Sequence, residues 1–127
     1  MVNKGIDSER KCVVGLNNEG FFAVRVAGSG AGSKKPRPDI LAGKNGKHYA
    51  IELKTSSNNE IYIKHAQICG LVEFSKGFGA IPMVCVKFAR LPYVFMRINE
   101  LYRSGEKTYY VSKKEALKRV KKDKYTL

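Results

Sequence analysis

Two acidic residues and a lysine stand in an arrangement that could hydrolyse a phosphodiester. Asp39 follows a proline, and after twelve intervening residues come Glu52 and, two positions later, Lys54. Carboxylate oxygens are the ligands that Mg²⁺ prefers, and a bound Mg²⁺ polarises a phosphate and activates an attacking water. A nearby lysine can orient that water or offset the charge that develops on the phosphate. These residue types and their spacing predict a metal-dependent nuclease site.

A predicted β-hairpin would bring the two acids together. The dipeptide Asn45–Gly46 lies between two apolar runs, where Asn-Gly is typical of a two-residue hairpin turn. The resulting register places Asp39 directly opposite Glu52 and points Lys54 to the same face as Glu52. Facing like charges oppose folding unless a cation relieves the repulsion. The alternative is two unrelated surface acids, with Lys54 in a surface salt bridge.

A third carboxylate lies on the first predicted helix. Apolar residues at helical spacing predict a helix that is capped by Asp7 or Ser8, runs to about Glu19 and stops at Gly20. Glu9 falls on the apolar stripe of this helix, where an unpaired charge is costly unless a cation meets it. Glu9 is therefore a candidate third metal ligand. The alternative is a glutamate favoured at a helix start by the helix dipole.

A loop rich in glycine, serine and cations follows a predicted strand over residues 21–27. It spans residues 28–37 and contains Lys34, Lys35 and Arg37. Three cations and many backbone donors suit contacts with DNA phosphates, whereas a flexible linker is the alternative. The loop is not a Walker loop, because no Gly-Lys-Ser/Thr sequence opens a helix.

The alternation of helices and strands predicts an α/β fold. The elements beyond the hairpin are a short edge segment at 61–63, a helix over 64–76 and strands over 80–88 and 93–98. Helix, strand, hairpin, helix, strand, strand is an order typical of a mixed sheet flanked by helices. Residues 1–127 are expected to form a single domain. Residues 103–127 carry nine Lys/Arg and three Asp/Glu, which predicts a basic C-terminal appendage.

Charge and hydropathy narrow the classes of partner. The 127 residues carry a formal net charge of +13, and the resulting positive electrostatic field favours binding to polyanions. No run approaches the roughly 20 apolar residues of a membrane helix, and the start lacks the apolar stretch of a signal peptide. The basic helix candidate at 112–124 has too few apolar residues to bind a membrane surface. We therefore expect a soluble, cytoplasmic protein that binds nucleic acid and no membrane.

The sequence also resembles the archaeal Holliday junction resolvases, a branch of the restriction-endonuclease-like nucleases that carry a PD...(D/E)xK motif. The resemblance covers about residues 4–98. Its matching positions are Lys4-Gly5, Glu9-Arg10, Gly20, Arg25, Ser29-Gly30, Pro38-Asp39-Ile40, Ala42-Gly43, Ile51-Glu52-Leu53-Lys54, Ile61-Tyr62, Gln67, Phe74, Phe78-Gly79, Pro82 and Val86-Lys87-Phe88. The chain departs from the family in two ways, because it has no tryptophan near residues 93–96 and matches poorly after residue 103.

The resemblance implies a restriction-endonuclease-like mixed β-sheet flanked by α-helices. It implies a homodimeric, Mg²⁺-dependent endonuclease that nicks two opposed strands of a four-way DNA junction. Glu9, Asp39 and Glu52 would hold the metal, and Lys54 would stabilise the transition state.

The resemblance also implies roles that spacing and composition do not. These are a catalytic contribution from Ser29, DNA or catalytic contacts by Arg10 and Arg25, and dimer contacts by Phe74 and Phe78. For the two phenylalanines, ordinary core packing is the alternative.

Two other functions are compatible with the sequence. A nuclease that cuts ordinary duplex DNA or repairs lesions would use the same metal site. A non-catalytic, basic DNA-binding protein would share the charge and the basic loop, but it would not need Asp39, Glu52 and Lys54 in this register.

Overall fold

The computed structural model describes residues 4–27, 35–105, 108–120, 125 and 127. Three α-helices, eight β-strands and a short 3₁₀ helix at Ile98–Glu100 occur in these ranges. In chain order they are α1 (Lys4–Asn18), β1 (Phe22–Arg25), β2 (Ile40–Lys44), β3 (Lys47–Ser56), β4 (Glu60–Lys64), α2 (His65–Phe78), β5 (Ile81–Phe88), β6 (Val94–Arg97), β7 (Tyr102–Ser104), β8 (Thr108–Ser112) and α3 (Lys113–Arg119).

A five-stranded mixed sheet forms the centre of the molecule. Its strand order is β1-β2-β3-β5-β6, with β3 and β5 parallel and the other neighbours antiparallel. Cys12 and Leu16 of α1 pack on one face, in a core that includes Ile51. Ile68 and Leu71 of α2 pack on the other face. The predicted mixed sheet flanked by helices is confirmed.

The β2–β3 hairpin has the register that the Asn-Gly turn predicts. Ile40 faces Ile51, and Lys44 faces Lys47 on either side of the turn. Asn45 and Gly46 both have positive φ, at 52° and 79°. Positive φ at both central residues is the requirement of a type I′ turn, whose twist matches that of the flanking strands.

The first helix begins earlier than its sequence signals predict. Because α1 starts at Lys4, Asp7 and Ser8 lie inside it, and the prediction that one of them caps it is wrong. Asp7 instead forms an i, i+4 ion pair with Lys11, with 3.1 Å between Oδ2 and Nζ. The predicted stop is correct, since the helix ends at Asn18 and Gly20 follows with a φ of 91°.

A second sheet of three strands, in the order β4-β8-β7, contains the segment at 61–63. This segment is therefore an edge strand of the small sheet and not of the main one. The central strand of the small sheet, β8, comes from the region that we expected to be a basic appendage. Val111 of β8 and Ala116 of α3 are fully buried in the α2-side core. Val111 and Ala116 thus pack β8 and α3 against the core, and the expectation of an appendage is revised for these two elements.

Tyr125 and Leu127, which follow α3, pack on the α1 side of the sheet. The Tyr125 ring lies 6.1 Å from that of Tyr93 and 5.9 Å from that of Phe95, between ring centroids. A Cβ atom on Gly15 would lie 1.9 Å from the Tyr125 hydroxyl, so any other residue there would displace the Tyr125 ring. Tyrosines and a phenylalanine therefore pack around β6 in this tryptophan-free chain. Among the described helices, none is long and apolar enough to cross a membrane.

One hydrogen bond from Tyr93, the residue just before β6, positions the helical turn that carries Glu9. The Tyr93 hydroxyl donates to the Ser8 carbonyl at 2.9 Å, and it lies 3.2 Å from the Ser8 hydroxyl. We expect Tyr93→Phe to lower the free energy of unfolding by about 1 kcal/mol, the usual net value of such a bond. Urea denaturation would measure the loss, with Tyr102→Phe at an exposed position as the matched control. Equal stability of the two variants would contradict this role for the Tyr93 hydroxyl.

Candidate active site

Two backbone hydrogen bonds and one side-chain hydrogen bond hold Asp39 immediately before β2. Its N–H donates to the Ile51 carbonyl at 3.0 Å, and its carbonyl accepts from the Val26 N–H at 2.9 Å. The Leu53 N–H donates to the Asp39 Oδ2 at 2.8 Å. Regular pairing between β2 and β3 ends at this point, and the Asp39 carboxylate accepts a hydrogen bond from a β3 backbone N–H there. Asp39 is fixed between the two strands, beside Glu52.

Glu52 is the most strongly perturbed carboxyl that this site contains. Burial raises the pKa of Glu52 to about 8, and the charge of Asp39 and a hydrogen bond to it act in the same direction. Lys54, which lies two residues further along β3, opposes the rise through its positive charge. At neutral pH the metal-free pair therefore keeps a proton, because two adjacent carboxylates without a cation are unfavourable.

Glu9 of α1 lies close enough to the pair to be affected by it. Burial and then the negative charge of Asp39 raise the pKa of Glu9, whereas a hydrogen bond and the charge of Arg25 lower it. The Arg25 Nη1 atom is 3.5 Å from the Glu9 Oε1 atom. The sequence did not predict this ion pair, because it depends on how β1 and α1 pack together.

The donor set fits a hard cation at Asp39 and Glu52, where repulsion between two oxygen ligands would be relieved. The fit is less complete at Glu9, which is paired with Arg25. In the part of the chain that the structure describes, no three His, Cys, Asp or Glu side chains are close enough to form a metal site. The structure therefore brings Asp39, Glu52 and Lys54 together and places Glu9 at their margin.

A cleft of about 700 Å³ opens beside Asp39 and Glu9. Three of the predicted DNA-contacting residues, Arg25, Lys35 and Arg37, line it. The Arg37 guanidinium also donates to the Ala27 carbonyl at 3.4 Å, which holds it near the cleft.

Of the three remaining residues with predicted catalytic or DNA contacts, the structure describes Arg10 alone. Arg10 is exposed on α1, next in sequence to Glu9, and does not line the cleft. Ser29 and Lys34 lie outside the described residues.

The two phenylalanines with predicted dimer contacts are stacked on α2. The Phe74 and Phe78 ring centroids are 5.2 Å apart; Phe74 packs partly against the core, and Phe78 is 55% exposed. Phe78 also borders a shallow cavity of about 400 Å³ together with Phe22, Val24 and Leu41. Phe22 is 87% exposed. We call Phe22, Val24, Leu41 and Phe78 the apolar patch.

Sequence reasoning missed the contribution of β1 to this patch. Phe22 and Val24 alternate with buried Ala23, so they share the face that does not enter the α1-side core. Period-two alternation within the predicted strand at 21–27 was the signal that could have identified them.

Comparison with known proteins identifies the family. A family model described as archaeal Holliday junction resolvase matches residues 1–122. The chain belongs to this family. The match continues well past residue 98, where the sequence resemblance ended, and includes β8 of the small sheet and the helix α3. The C-terminal elements are therefore part of what the family shares.

Individual relatives and one solved structure agree with this membership. The crossover junction endodeoxyribonuclease Hjc of Archaeoglobus fulgidus is 39% identical over 111 residues, covering 87% of this chain and 80% of that protein. The Hjc protein of Sulfolobus acidocaldarius is 37% identical over 116 residues, covering 91% and 80%. The solved structure of the Archaeoglobus fulgidus Holliday junction resolvase matches with a TM-score of 0.82 and 32% identity, covering 94% of this chain and 93% of that one.

Proposed function

We propose that this chain is a Mg²⁺-dependent endonuclease that resolves four-way DNA junctions by nicking two opposed strands. The observation that carries the proposal is the contact between Asp39 and Glu52, with Lys54 on the same face, in a member of the junction resolvase family. Two adjacent carboxyls, one of which (Asp39) raises the pKa of the other (Glu52), are unfavourable for folding alone. A cation bound between Asp39 and Glu52 would relieve their repulsion and could act on a DNA phosphate.

The residues of the site have separable roles in this proposal. Mg²⁺, when bound, supplies Lewis-acid polarisation of the phosphate and a more acidic attacking water. Asp39 and Glu52 would hold the ion, and the Leu53 N–H fixes the orientation of the Asp39 carboxylate through Oδ2. Lys54 would offset the negative charge that develops on the phosphate. Glu9 would join as a third ligand by exchanging its contact with Arg25.

The cations that line the cleft would position DNA through its backbone. Arg25, Lys35 and Arg37 contribute positive charge beside the acids, and Arg10 and Lys34 would extend this path. We assign Ser29 a catalytic contribution on the basis of the family resemblance. Phosphate contacts fix the register of DNA without reading its sequence, so binding would weaken steeply with salt.

Resolution of a junction by two matched nicks would use two copies of the chain. A C₂ dimer presents two identical sites to a junction that can itself be two-fold symmetric. We place the second copy on the apolar patch, because β1 is an edge strand of the main sheet and the patch exposes large apolar side chains. Phe74 would support Phe78 from beneath.

We expect Phe78→Asp to give monomers, because a charge in the patch would have to be buried without a partner. Sedimentation velocity would measure the mass of wild type and variant. A supercoiled plasmid with an extruded cruciform would report paired nicking, since two nicks within one binding event give linear DNA and one gives a nicked circle. We expect mainly linear product from the wild type and mainly nicked circles from the variant.

Val14→Asp is the matched control for this variant, because Val14 is an exposed apolar residue of α1 away from the patch. We expect it to keep the wild-type mass and product pattern. A dimeric Phe78→Asp protein would place the interface elsewhere on the molecule.

Selectivity for junctions is tested by competition. The Glu52→Gln protein, which should bind without cutting, is given a labelled four-way junction and a large excess of linear duplex with the same sequences. We expect the junction to stay bound, and wild-type cuts to map to symmetry-related positions on opposed strands near the crossover. Equal competition by duplex, with unpaired cuts scattered along the arms, would instead identify a general duplex or repair nuclease.

A further inference from the structure

A row of three tyrosines crosses the small sheet, away from the acids of the cleft. Tyr62 of β4 faces Tyr110 of β8, and Tyr110 faces Tyr102 of β7. The ring centroids of Tyr62 and Tyr110 are 6.0 Å apart, and those of Tyr110 and Tyr102 are 5.7 Å apart. Direct cross-strand neighbours project from the same face of a sheet, so the three rings form one continuous row.

The row lies on the open face of the small sheet. Ile61, Ile63 and Val111 alternate with the tyrosines along β4 and β8 and are buried in the α2-side core. By contrast, Tyr62 is 57% exposed and Tyr102 is 47% exposed. Because β4 and β7 are the edge strands of this sheet, no further strand among the described residues covers the outer sides of these two rings.

A lysine lies beside the row. Lys64 projects from the same face of β4 as Tyr62 and is exposed. One acid, Glu60, shares this face and accepts a hydrogen bond from the Tyr62 hydroxyl at 2.8 Å, which orients the ring. Aromatic rings with open sides beside a lysine match a polyanion that carries planar groups, and the chain as a whole carries a charge of +13.

We propose that the tyrosine row binds unpaired nucleotides of DNA, whose bases stack on the outer sides of Tyr62 and Tyr102. Base stacking on aromatic side chains is tolerant of sequence, because every base has a π-face, and adjacent cations contact the phosphates. Bases within intact duplex are already stacked and cannot reach the rings. The row is thus a single-strand binding site on a different sheet from the acids, and it does not depend on the proposed metal site.

Fluorescence anisotropy of a labelled oligothymidylate of about 15 nucleotides would test this, with a labelled duplex of the same length in a parallel titration. Both titrations are run in EDTA at one fixed salt concentration, so that no cleavage occurs. We expect Tyr62→Ala and Tyr102→Ala each to weaken oligothymidylate binding by about 5- to 100-fold and duplex binding by less than about 2-fold. Tyr62→Phe and Tyr102→Phe keep the rings and should bind the oligonucleotide within about 2-fold of wild type.

A second readout uses the emission of the protein itself. The chain has seven tyrosines and no tryptophan, so stacked bases should quench its tyrosine fluorescence. Circular dichroism melting confirms that each variant is folded. Unchanged oligonucleotide affinity in folded alanine variants would overturn the proposal, as would an equal loss for duplex. A change of oligomeric state in Tyr62→Ala would also overturn it, because the row would then be an interface between copies.

Discussion

Asp39→Asn and Glu52→Gln are each expected to lower the rate of DNA nicking by at least about 10³-fold, which corresponds to about 4 kcal/mol of activation free energy. Each change removes one of the two carboxyl groups that lie side by side where β2 and β3 meet. An amide oxygen can coordinate a hard divalent cation, but it supplies no negative charge and so binds the cation more weakly than a carboxylate. Single-turnover nicking of a four-way junction in Mg²⁺ would measure the loss.

Neither substitution should unfold the protein. In Asp39→Asn, the amide oxygen can still accept the hydrogen bond that the Leu53 N–H donates to Asp39 at 2.8 Å. In Glu52→Gln, the glutamine has nearly the shape of a protonated glutamic acid. Both variants should therefore bind junction DNA with close to wild-type affinity. Glu19→Gln, at an exposed acid that follows α1, is the control and should cut normally. Nicking at the wild-type rate by either variant would show that the pair is not the metal site.

Binding of Mg²⁺ is expected to release close to one proton per site at neutral pH. Without metal, burial and Asp39 raise the pKa of Glu52 to about 8, so the cation must displace a proton before both carboxylates can act as ligands. Apparent Mg²⁺ affinity should rise with pH by up to about tenfold per pH unit and level off above about pH 8. Isothermal titration calorimetry in two buffers of different ionisation enthalpy would count the protons.

The same pKa predicts how metal-free stability depends on pH. The folded pKa of Glu52, about 8, lies above its unfolded value of 4.5, so this group stabilises the fold fully below the unfolded value. That contribution is lost as the pH rises through about 8. In EDTA, urea denaturation should show lower stability at about pH 9 than at about pH 6, and Mg²⁺ should reverse the decline. Glu52→Gln should remove both effects, and a wild type with the same pH dependence as that variant would contradict the prediction.

The parts of the site that the sequence predicts correctly are local. Asp39 and Glu52 are joined by one hairpin, and the Asn45–Gly46 turn alone determines which residues face each other. The contact between Glu9 and Arg25 could not be predicted in the same way, because its two residues lie on α1 and β1. Their separation depends on the packing of that helix on the sheet, which no short pattern encodes.

The pairing within the small sheet also could not be predicted from short sequence patterns. The predicted strand at 61–63 was correct as a strand, but its partner β8 comes from the C-terminal region. Basic residues on α3 and in the tail made this region resemble an appendage by composition. Its buried positions, Val111 and Ala116, are too few to stand out in a charged segment, although both are completely excluded from solvent.

The pairing of β4 with β8 has a consequence for the order of folding. The β2–β3 hairpin closes a two-residue loop, so its contacts can form in a local search on a microsecond timescale. Glu60 instead pairs with Ser112, and Lys64 with Thr108, so the small sheet requires closure of a loop that contains α2, β5 and β6. The entropy of closing long loops slows such pairings. The acids can therefore meet early, while the tyrosine row is completed only when the chain has nearly finished folding.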